Sequence, residues 1–304
     1  MRSLNAVPEL APYHDEPAQL PSGASGKDGS LHLGFARRGA RTALVGLRYR
    51  PPLLVQRELH WDEELPDAAC VVVVDTAGGV VQGDRYTVDV DLGERARAHV
   101  TTQSATRIQE MDANYASQVQ RLVLRDGAYL EYLPEPVIPH RHSRFVTRTH
   151  VRLPETATLV YAEILLPGRT HYRTGEVFGY DLYSCGLSAS RPDGTPLFAE
   201  KYLIEPGRCS PARLGVLDGY RVFGNVLLLT SAAAAERVLA RVPAVVDRAG
   251  RRAAGASRLP NGAGLSYRIL AMESEPVRAM VRDFWSTARR AVTGRPAPPP
   301  FPWR

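Results

Sequence analysis

Residues 31–36 read Leu31-His32-Leu33-Gly34-Phe35-Ala36, so large apolar side chains alternate with histidine, glycine and alanine. Successive side chains of a β-strand point to opposite faces, and this alternation places leucine, leucine and phenylalanine on one face. The stretch therefore predicts a strand that turns one face toward a core. It also marks the point where period-two patterning replaces a segment rich in Pro, Gly, Ser and Ala.

A dozen later segments have the same character, and turn signals such as Asp126-Gly127 and Asp193-Gly194 separate them. They are residues 42–48, 69–75, 86–92, 98–102, 118–125, 128–132, 145–152, 158–164, 177–188, 196–204, 220–229 and 265–272. Almost no helical pattern lies between them. We therefore predict a mainly β fold of stacked, coiled β-sheets, of the sandwich or superhelical type. No clear sequence repeat of about 20–50 residues is visible.

The sequence predicts two C-terminal α-helices. Ser231 is a favourable N-cap for a helix that runs to about Arg241, and Ser274 is one for a second helix, whose first turn tolerates Pro276. The second helix carries a stripe of apolar residues at helical spacing, which we expect to face the core. The stripe consists of Val277, Met280, Val281, Phe284 and Ala288.

Composition divides the chain into three parts. Residues 1–30 are rich in Pro, Gly, Ser and Ala and are expected to be a flexible N-terminal segment. Residues 31–292 are expected to form a single β-rich domain, and residues 293–304 a Pro-rich tail.

The apolar runs and the cysteines restrict the cellular setting. The longest apolar runs, such as residues 69–74, are far shorter than the roughly 18 residues of a membrane helix, so no membrane partner is expected. No apolar signal core occurs near the N-terminus. Cys70 lies in an apolar run and is predicted to be a buried thiol. Three cysteines and no export signal predict reduced thiols and a cytoplasmic location.

The positive charge is concentrated near the C-terminus. The net charge is +6, and residues 251–304 alone hold ten arginines against three acidic residues, a net of +7. This part of the chain could attract an acidic partner. A nucleic-acid-binding β module is one hypothesis, but no zinc-finger spacing, RNA-recognition signature or aromatic–basic stripe supports it, so nucleic acid is not an expected partner.

Familiar catalytic motifs are missing from the sequence. There is no phosphate-binding Gly-x4-Gly-Lys-Ser/Thr loop, no Gly-x-Ser-x-Gly nucleophile motif, and no Cys-x-x-Cys or His-Glu-x-x-His. One histidine pair, His140 and His142, would converge on an ion if it lay on a strand. A β-rich metalloenzyme using this pair is therefore the alternative hypothesis, and a solvated loop is the simpler interpretation.

Two polar stretches allow more than one interpretation. Residues 78–84 read Gly-Gly-Val-Val-Gln-Gly-Asp, which favours a glycine-built turn with Asp84 hydrogen-bonded to the amides of the loop. Residues 101–104, Thr-Thr-Gln-Ser, follow a predicted strand. Their hydroxyl groups would line a polar channel or cap a turn.

Six stretches, taken in order, resemble the urease accessory protein D family, called the H family in some organisms. They are residues 31–36, 76–85, 101–108, 130–135, 163–169 and 175–178, which read LHLGFA, TAGGVVQGDR, TTQSATRI, LEYLPE, EILLPGR and GEVF. Each stretch alone is weakly specific, but their common order is specific.

This resemblance implies a function that the residues alone do not. It implies a non-catalytic maturation factor that binds apo-urease subunits and a helical urease accessory protein, through which it meets a urease accessory GTPase. It also implies nickel insertion through a polar internal passage, with nickel bound only transiently and no cofactor bound stably.

The resulting candidate residues fall into three sets. The passage candidates are Asp84, Thr101, Thr102, Ser104, Glu135, Glu163 and Glu176. The glycines of the motif loop are Gly78, Gly79 and Gly83. His140 and His142 are the metal candidates from strand spacing.

Overall fold

The computed structural model describes residues 7–14, 16 and 28–299. Its strands are β1 (Asp28–Arg38), β2 (Arg41–Arg50), β3 (Leu53–Leu54), β4 (Ala69–Asp75), β5 (Arg85–Leu92), β6 (Arg97–Thr102), β7 (Thr106–Ile108), β8 (Ala116–Leu124), β9 (Tyr129–Tyr132), β10 (Val137–Pro139), β11 (Arg144–Arg152), β12 (Thr158–Leu165), β13 (Leu182–Ser190), β14 (Pro196–Ile204), β15 (Val222–Leu229), β16 (Val245–Asp247), β17 (Arg252–Arg258) and β18 (Gly264–Ala271). The α-helices are α1 (Ala232–Leu239) and α2 (Ser274–Thr293), and short 3-10 helices span Pro8–Tyr13 and Pro260–Gly262.

The strands form two sheets that face each other. The smaller sheet has the order β14-β13-β11-β8-β5-β1-β2. The larger follows the path β16-β17-β18-β15-β12-β9-β6-β4-β3, with β7 and β10 joined beside it. One apolar core fills the space between the sheets, and a second lies between the larger sheet and the two helices. The prediction of a mainly β fold with stacked sheets and two C-terminal helices is confirmed.

From β4 to β13 the chain winds between the sheets as a coil. Strands β4, β6, β9 and β12 enter the larger sheet, while β5, β8, β11 and β13 enter the smaller one, and neighbours pair in parallel. Ala69 pairs with Ala98, and Arg85 with Ser117. The backbone thus repeats without a visible sequence repeat, because each coil needs only an apolar inward face.

Side-chain alternation decides which face each strand presents to the core. In β5 the residues Tyr86, Val88, Val90 and Leu92 are buried, while the intervening ones are partly exposed. Every residue of β12 is buried, since the smaller sheet covers one face and the helices cover the other.

Both helices lie where they were predicted. Ser231 accepts a hydrogen bond from the Ala234 amide and so caps α1. In α2 the N-cap is Glu273, one residue before the predicted Ser274, and the buried stripe also includes Trp285 and Arg289. Neither α-helix, nor any other helix in the described ranges, combines the length and apolar surface that a membrane span requires.

The predicted strands differ from the structure in one boundary and in several strands that were missed. The strand predicted for residues 177–188 begins only at Leu182, because residues before it belong to a loop that an ion pair between Arg169 and Glu176 holds together. Strand β17 was missed, since its sequence RAAGASR contains no β-branched or aromatic residue. Its backbone pairs with β16 and β18 instead.

Most of residues 1–30 and the last five residues of the 293–304 tail lie outside the described residues. Within the first segment, Pro8–Tyr13 forms a 3-10 helix that packs on the outer face of the smaller sheet. Leu10 is fully buried in a cluster with Tyr115, Val146 and Leu182. Nearby, the Glu9 carboxylate pairs with Arg148 and Lys201, both at 2.8 Å.

Candidate functional site

A cavity of about 110 Å³ lies between the two sheets. Its walls come from β4, β6, β9 and β12 on one side and β5, β8, β11 and β13 on the other. Since these are four successive strands of each sheet, the cavity extends across the strands, along the axis of the coil. It is large enough to hold several water molecules.

Five of the seven residues predicted as passage candidates line this cavity. The predicted residues in its lining are Thr101, Thr102, Ser104, Glu135 and Glu163, together with Gly78 and Gly79. The lining contains the carboxylates of Asp75, Glu135 and Glu163 against one guanidinium, that of Arg107. An excess of carboxylates in a confined space favours a cation over an anion.

Glu163 is the deepest of these carboxylates, with 6% of its surface exposed. Its Oε1 accepts a 2.6 Å hydrogen bond from the Tyr183 hydroxyl, and its Oε2 accepts one of 3.0 Å from the Cys185 thiol. Burial and the Glu163 charge raise the pKa of Tyr183 and of Cys185 well above their usual values, so both remain protonated donors. Among the described residues, no arginine, lysine or histidine forms an ion pair with Glu163.

The rest of the cavity wall combines aromatic rings with hydroxyl and amide groups. Tyr132 and Tyr161 stack with ring centroids 5.7 Å apart and planes 5° from parallel. On the opposite sheet, Gln120 Nε2 lies 3.5 Å from Thr147 Oγ1, and the buried Gln120 Oε1 has no hydrogen-bond partner within the described structure. The wall therefore offers several separate oxygen atoms.

Glu135 lies at one end of the cavity and faces a second space. Its carboxylate pairs with Arg278 of α2 at 2.5 Å, and its amide donates to Thr102 Oγ1 at 2.9 Å. Pro134, Glu135 and Ile164 also line a groove of about 600 Å³ between the larger sheet and α2. The cavity and the groove thus share a wall at Glu135.

Below this groove lies a buried ionic cluster that sequence reasoning missed. Arg289 Nη2 is 2.5 Å from Asp62 Oδ2, and its Nε is 3.4 Å from Glu131 Oε1. Glu131 also accepts from His99 Nδ1 at 2.9 Å and from the Tyr129 hydroxyl at 2.7 Å. Burial opposes ionisation of Glu131, but the His99 hydrogen bond and Arg289 outweigh it and lower the pKa. The cluster fixes α2 to the larger sheet.

Asp84 does not line the cavity. It is fully buried, and its Oδ2 accepts from the Val81 amide at 3.0 Å and from the Tyr86 hydroxyl at 2.8 Å. This matches the glycine-built turn that the sequence favoured. Gly79 has a φ of +143°, and a Cβ there would lie 2.8 Å from the Arg107 carbonyl oxygen. The loop therefore requires glycine at this position.

Glu176 also lies outside the cavity lining. Arg169 donates to both of its carboxylate oxygens, and the Arg141 amide donates to Oε2 at 3.3 Å. The hydrogen bonds from Arg169 lower the pKa of Glu176. Its carboxylate stabilises the loop before β13. The same loop requires glycine at position 168, because a Cβ added there would lie 2.7 Å from the Glu176 carbonyl oxygen. The third motif glycine, Gly83, has a φ of +78° in the turn before β5.

The two predicted metal histidines do not share a strand face, so the geometric premise for their convergence was wrong. Both follow the end of β10 in a turn, where His142 has a φ of +57°. His142 Nε2 accepts from Arg141 and its Nδ1 contacts Asp181 at 3.1 Å. His140 is buried, and burial and Arg169 lower its pKa. Within the described part of the chain, no cluster of three or more His, Cys, Asp or Glu side chains could hold a metal ion.

The structure adds cavity residues that sequence reasoning had not selected. They are Gln120, Tyr132, Thr147, Tyr161 and Tyr183, with Cys185 behind Glu163. One signal was available, because Glu163 interrupts the otherwise apolar strand TLVYAEIL. A carboxylate at an inward position of such a strand indicates that polar partners stand opposite. The identity of those partners depends on the register of the coil.

The structure shows the burial and the bonding state of the three cysteines. Cys70 and Cys185 are buried and Cys209 is exposed, and all three are free thiols. The prediction of a buried Cys70 is confirmed. Burial raises its pKa to about 12.

Comparison with known proteins identifies the family. A family model described as UreD urease accessory protein matches residues 27–304. A protein named Urease accessory protein UreD 2, from Brucella suis biovar 1 (strain 1330), is 52% identical over 300 residues, which cover 99% of each chain. Urease accessory protein UreD from Yersinia pseudotuberculosis serotype O:1b (strain IP 31758) is 48% identical over 298 residues, covering 98% of this chain and 93% of the relative. The chain therefore belongs to the UreD urease accessory protein family.

Proposed function

We propose that this protein is a non-catalytic urease maturation factor and that Ni²⁺ passes through the cavity between its sheets. Membership of the urease accessory family supports the role in maturation. The observation that carries the passage is the set of oxygen side chains from Thr101, Glu135 and Glu163 on one internal cavity.

The chemistry of the cavity suits transfer better than storage. Ni²⁺ accepts carboxylate, hydroxyl and thiol-derived ligands, and an ion that must leave again needs weak sites spread along its path. Here the carboxylates of Glu163 and Glu135 are held by different elements, β12 and the loop after β9. Nickel is therefore a transient cargo in this proposal, and no stably bound cofactor is required.

The partners in this proposal are apo-urease, a helical accessory protein and, through the latter, a GTPase, all in the cytoplasm. The chain lacks a phosphate-binding loop of its own, which suits a factor whose GTPase is a separate protein. Arginines of the basic C-terminal part that lie on the surface, such as Arg251 and Arg290, supply positive charge for an acidic partner surface.

The first experiment measures urease itself. Urease is co-expressed with its other accessory proteins, with and without this chain, and its activity and nickel content are determined after purification. We expect folded, nickel-poor and inactive urease without the chain. Equal nickel content in both preparations would refute the maturation role.

The second experiment tests the passage with Glu163→Gln. Glutamine keeps the shape and one acceptor but removes the charge, and a barrier raised by about 1.4 kcal/mol slows passage about tenfold. We therefore expect nickel incorporation at least about tenfold slower. Glu155→Gln, on an exposed turn, is the control and should behave like the wild type. Equal rates for both variants would exclude Glu163 from the path.

A further inference from the structure

The starting observation is a thiol that lies behind a carboxylate of the cavity wall and donates a hydrogen bond to it. Cys185 lies on β13 and Glu163 on the facing strand β12, and Sγ is 3.0 Å from Oε2. Both residues are buried, with 3% and 6% of their surfaces exposed. A buried carboxylate normally has a cationic partner, but among the described residues Glu163 has only the neutral donors Cys185 and Tyr183.

A second, independent observation is an unsatisfied acceptor on the same cavity. Gln120 is 5% exposed, and its Oε1 has no hydrogen-bond partner within the described structure. Gln120 and Glu163 both line the cavity, so a carbonyl oxygen and a carboxylate face one enclosed space. An unpaired buried acceptor costs free energy unless a ligand or water satisfies it.

We propose that Glu163 and Cys185 together form a cation subsite in the cavity wall that selects thiophilic divalent ions. This inference rests on the proposed passage and adds to it the identity of one stopping point and its preference. A thiolate ligand favours Ni²⁺, Co²⁺, Zn²⁺ and Cd²⁺ over Mg²⁺ and Ca²⁺, which prefer all-oxygen ligands. Gln120, whose Oε1 is unsatisfied on the same cavity, is the candidate for a further oxygen ligand in this proposal.

Binding at this subsite exchanges a proton for the metal. The S–H bond of Cys185 breaks as the metal–sulfur bond forms, the proton leaves to solvent water, and no electron transfer occurs. In the metal-free protein the cysteine is a thiol that donates its S–H to Glu163 Oε2. The protonated thiol holds the Glu163 carboxylate in place until a cation replaces the proton.

The chain contains its own control for this assignment. Cys70 is equally buried, but it lies on β4 between Val71 and Ala69, and the inward-facing residues of that strand are Val71 and Val73. Its thiol therefore faces away from the cavity. Cys209 is exposed and is replaced by serine in every variant to remove a competing thiol.

The test uses the full-length protein and Cd²⁺, with Ni²⁺ as the second probe. Titration of the Cys70→Ser/Cys209→Ser variant, in which Cys185 is the only cysteine, should produce a thiolate-to-metal absorption band that saturates at one equivalent. Cys185→Ser/Cys209→Ser should lose the band. Adding Glu163→Gln to the first variant should weaken Cd²⁺ binding at least about tenfold, a loss of about 1.4 kcal/mol, whereas Glu155→Gln should not change it.

The expected band also has to survive excess Mg²⁺. No band from Cys185 alone, or an unchanged band after Cys185→Ser, overturns the proposal. If the Cys185 or Glu163 variant does not fold, X-ray absorption spectroscopy of Ni²⁺ bound to the folded Cys70→Ser/Cys209→Ser protein tests the subsite instead. A first coordination shell of Ni²⁺ without sulfur refutes the subsite. A failure of the proposed maturation role is detected in a different experiment. In that case urease acquires nickel equally well when this chain is absent.

Discussion

Replacing Arg289 with methionine should destabilise the protein strongly. Arg289 is completely buried and lies between the carboxylates of Asp62 and Glu131, which are each about 2% exposed. Methionine has a similar length but no charge, so two carboxylates remain in an apolar layer without their arginine. His99 can still hydrogen-bond Glu131, whereas Asp62 loses its ion-pair partner.

The size of the effect follows from these contacts. A pair of unit charges about 4 Å apart attracts by about 4 kcal/mol at an effective dielectric constant of about 20, and breaking a buried pair by removing one partner typically costs about 3–5 kcal/mol. We expect a loss in this range. For a protein of this length, this corresponds to a fall in Tm of roughly 10 °C.

Urea and thermal unfolding of purified variants measure the loss. Arg290→Met, one residue along α2 but exposed, is the matched control and should change stability by no more than about 0.5 kcal/mol. Asp62→Asn added to Arg289→Met should restore part of the loss, since asparagine keeps the acceptor for the Glu64 and Leu65 amides without the charge. A cost for Arg289→Met within about 1 kcal/mol of the control would refute the role of the cluster.

Two further predictions concern other contacts. Burial raises the pKa of Glu9, but hydrogen bonds from Lys201 and Ser184 outweigh this effect and lower the pKa from 4.5 to about 2. The ionised Glu9 therefore stabilises the fold fully above pH 4.5. This contribution to the free energy of unfolding is lost as the pH falls through about 2. Glu9→Gln should therefore lower urea stability at neutral pH, and the difference from wild type should shrink in acid; a difference that grows would contradict this. Gly224→Ala should cost about 1–3 kcal/mol in thermal unfolding, because a Cβ there would lie 2.7 Å from Val277 Cγ1. Gly255→Ala is the control and should not lower the stability, because a Cβ there would have open space around it. If both variants lost the same stability, the contact between residue 224 and Val277 would not be the cause, since α2 would have moved to make room for the Cβ.

Sequence patterning located the strands because a period of two survives wherever one face is buried. The alternation in β5 is such a case, whereas β12 is buried on both faces and stands out as a nearly continuous apolar run. Strands of two or three residues, such as β3 and β10, are too short to show a period. The winding of the chain between two sheets was expected as a coiled stack, but its register became visible only in three dimensions.

The candidate site was predicted in part for a related reason. Family motifs indicated Thr101 and Glu163, which lie on the cavity, and equally Asp84 and Glu176, which stabilise loops outside it. A family motif indicates that a residue is important, but it does not tell whether the residue lines the cavity or stabilises a loop. Cys185 stood in no motif, and only the facing of β12 and β13 brings its thiol to Glu163.

Because the chain winds as a coil, the number of strands in each wall sets the length of the cavity. Neighbouring strands lie about 4.8 Å apart, so four successive strands on each wall span about 14 Å from first axis to last. Since Ala69 pairs with Ala98 and Arg97 with Tyr129, one more coil would require a duplication of roughly 30 residues and would add one strand spacing. A longer or shorter cavity could thus evolve by gain or loss of whole coils, while the remaining strands of each wall kept their existing neighbours.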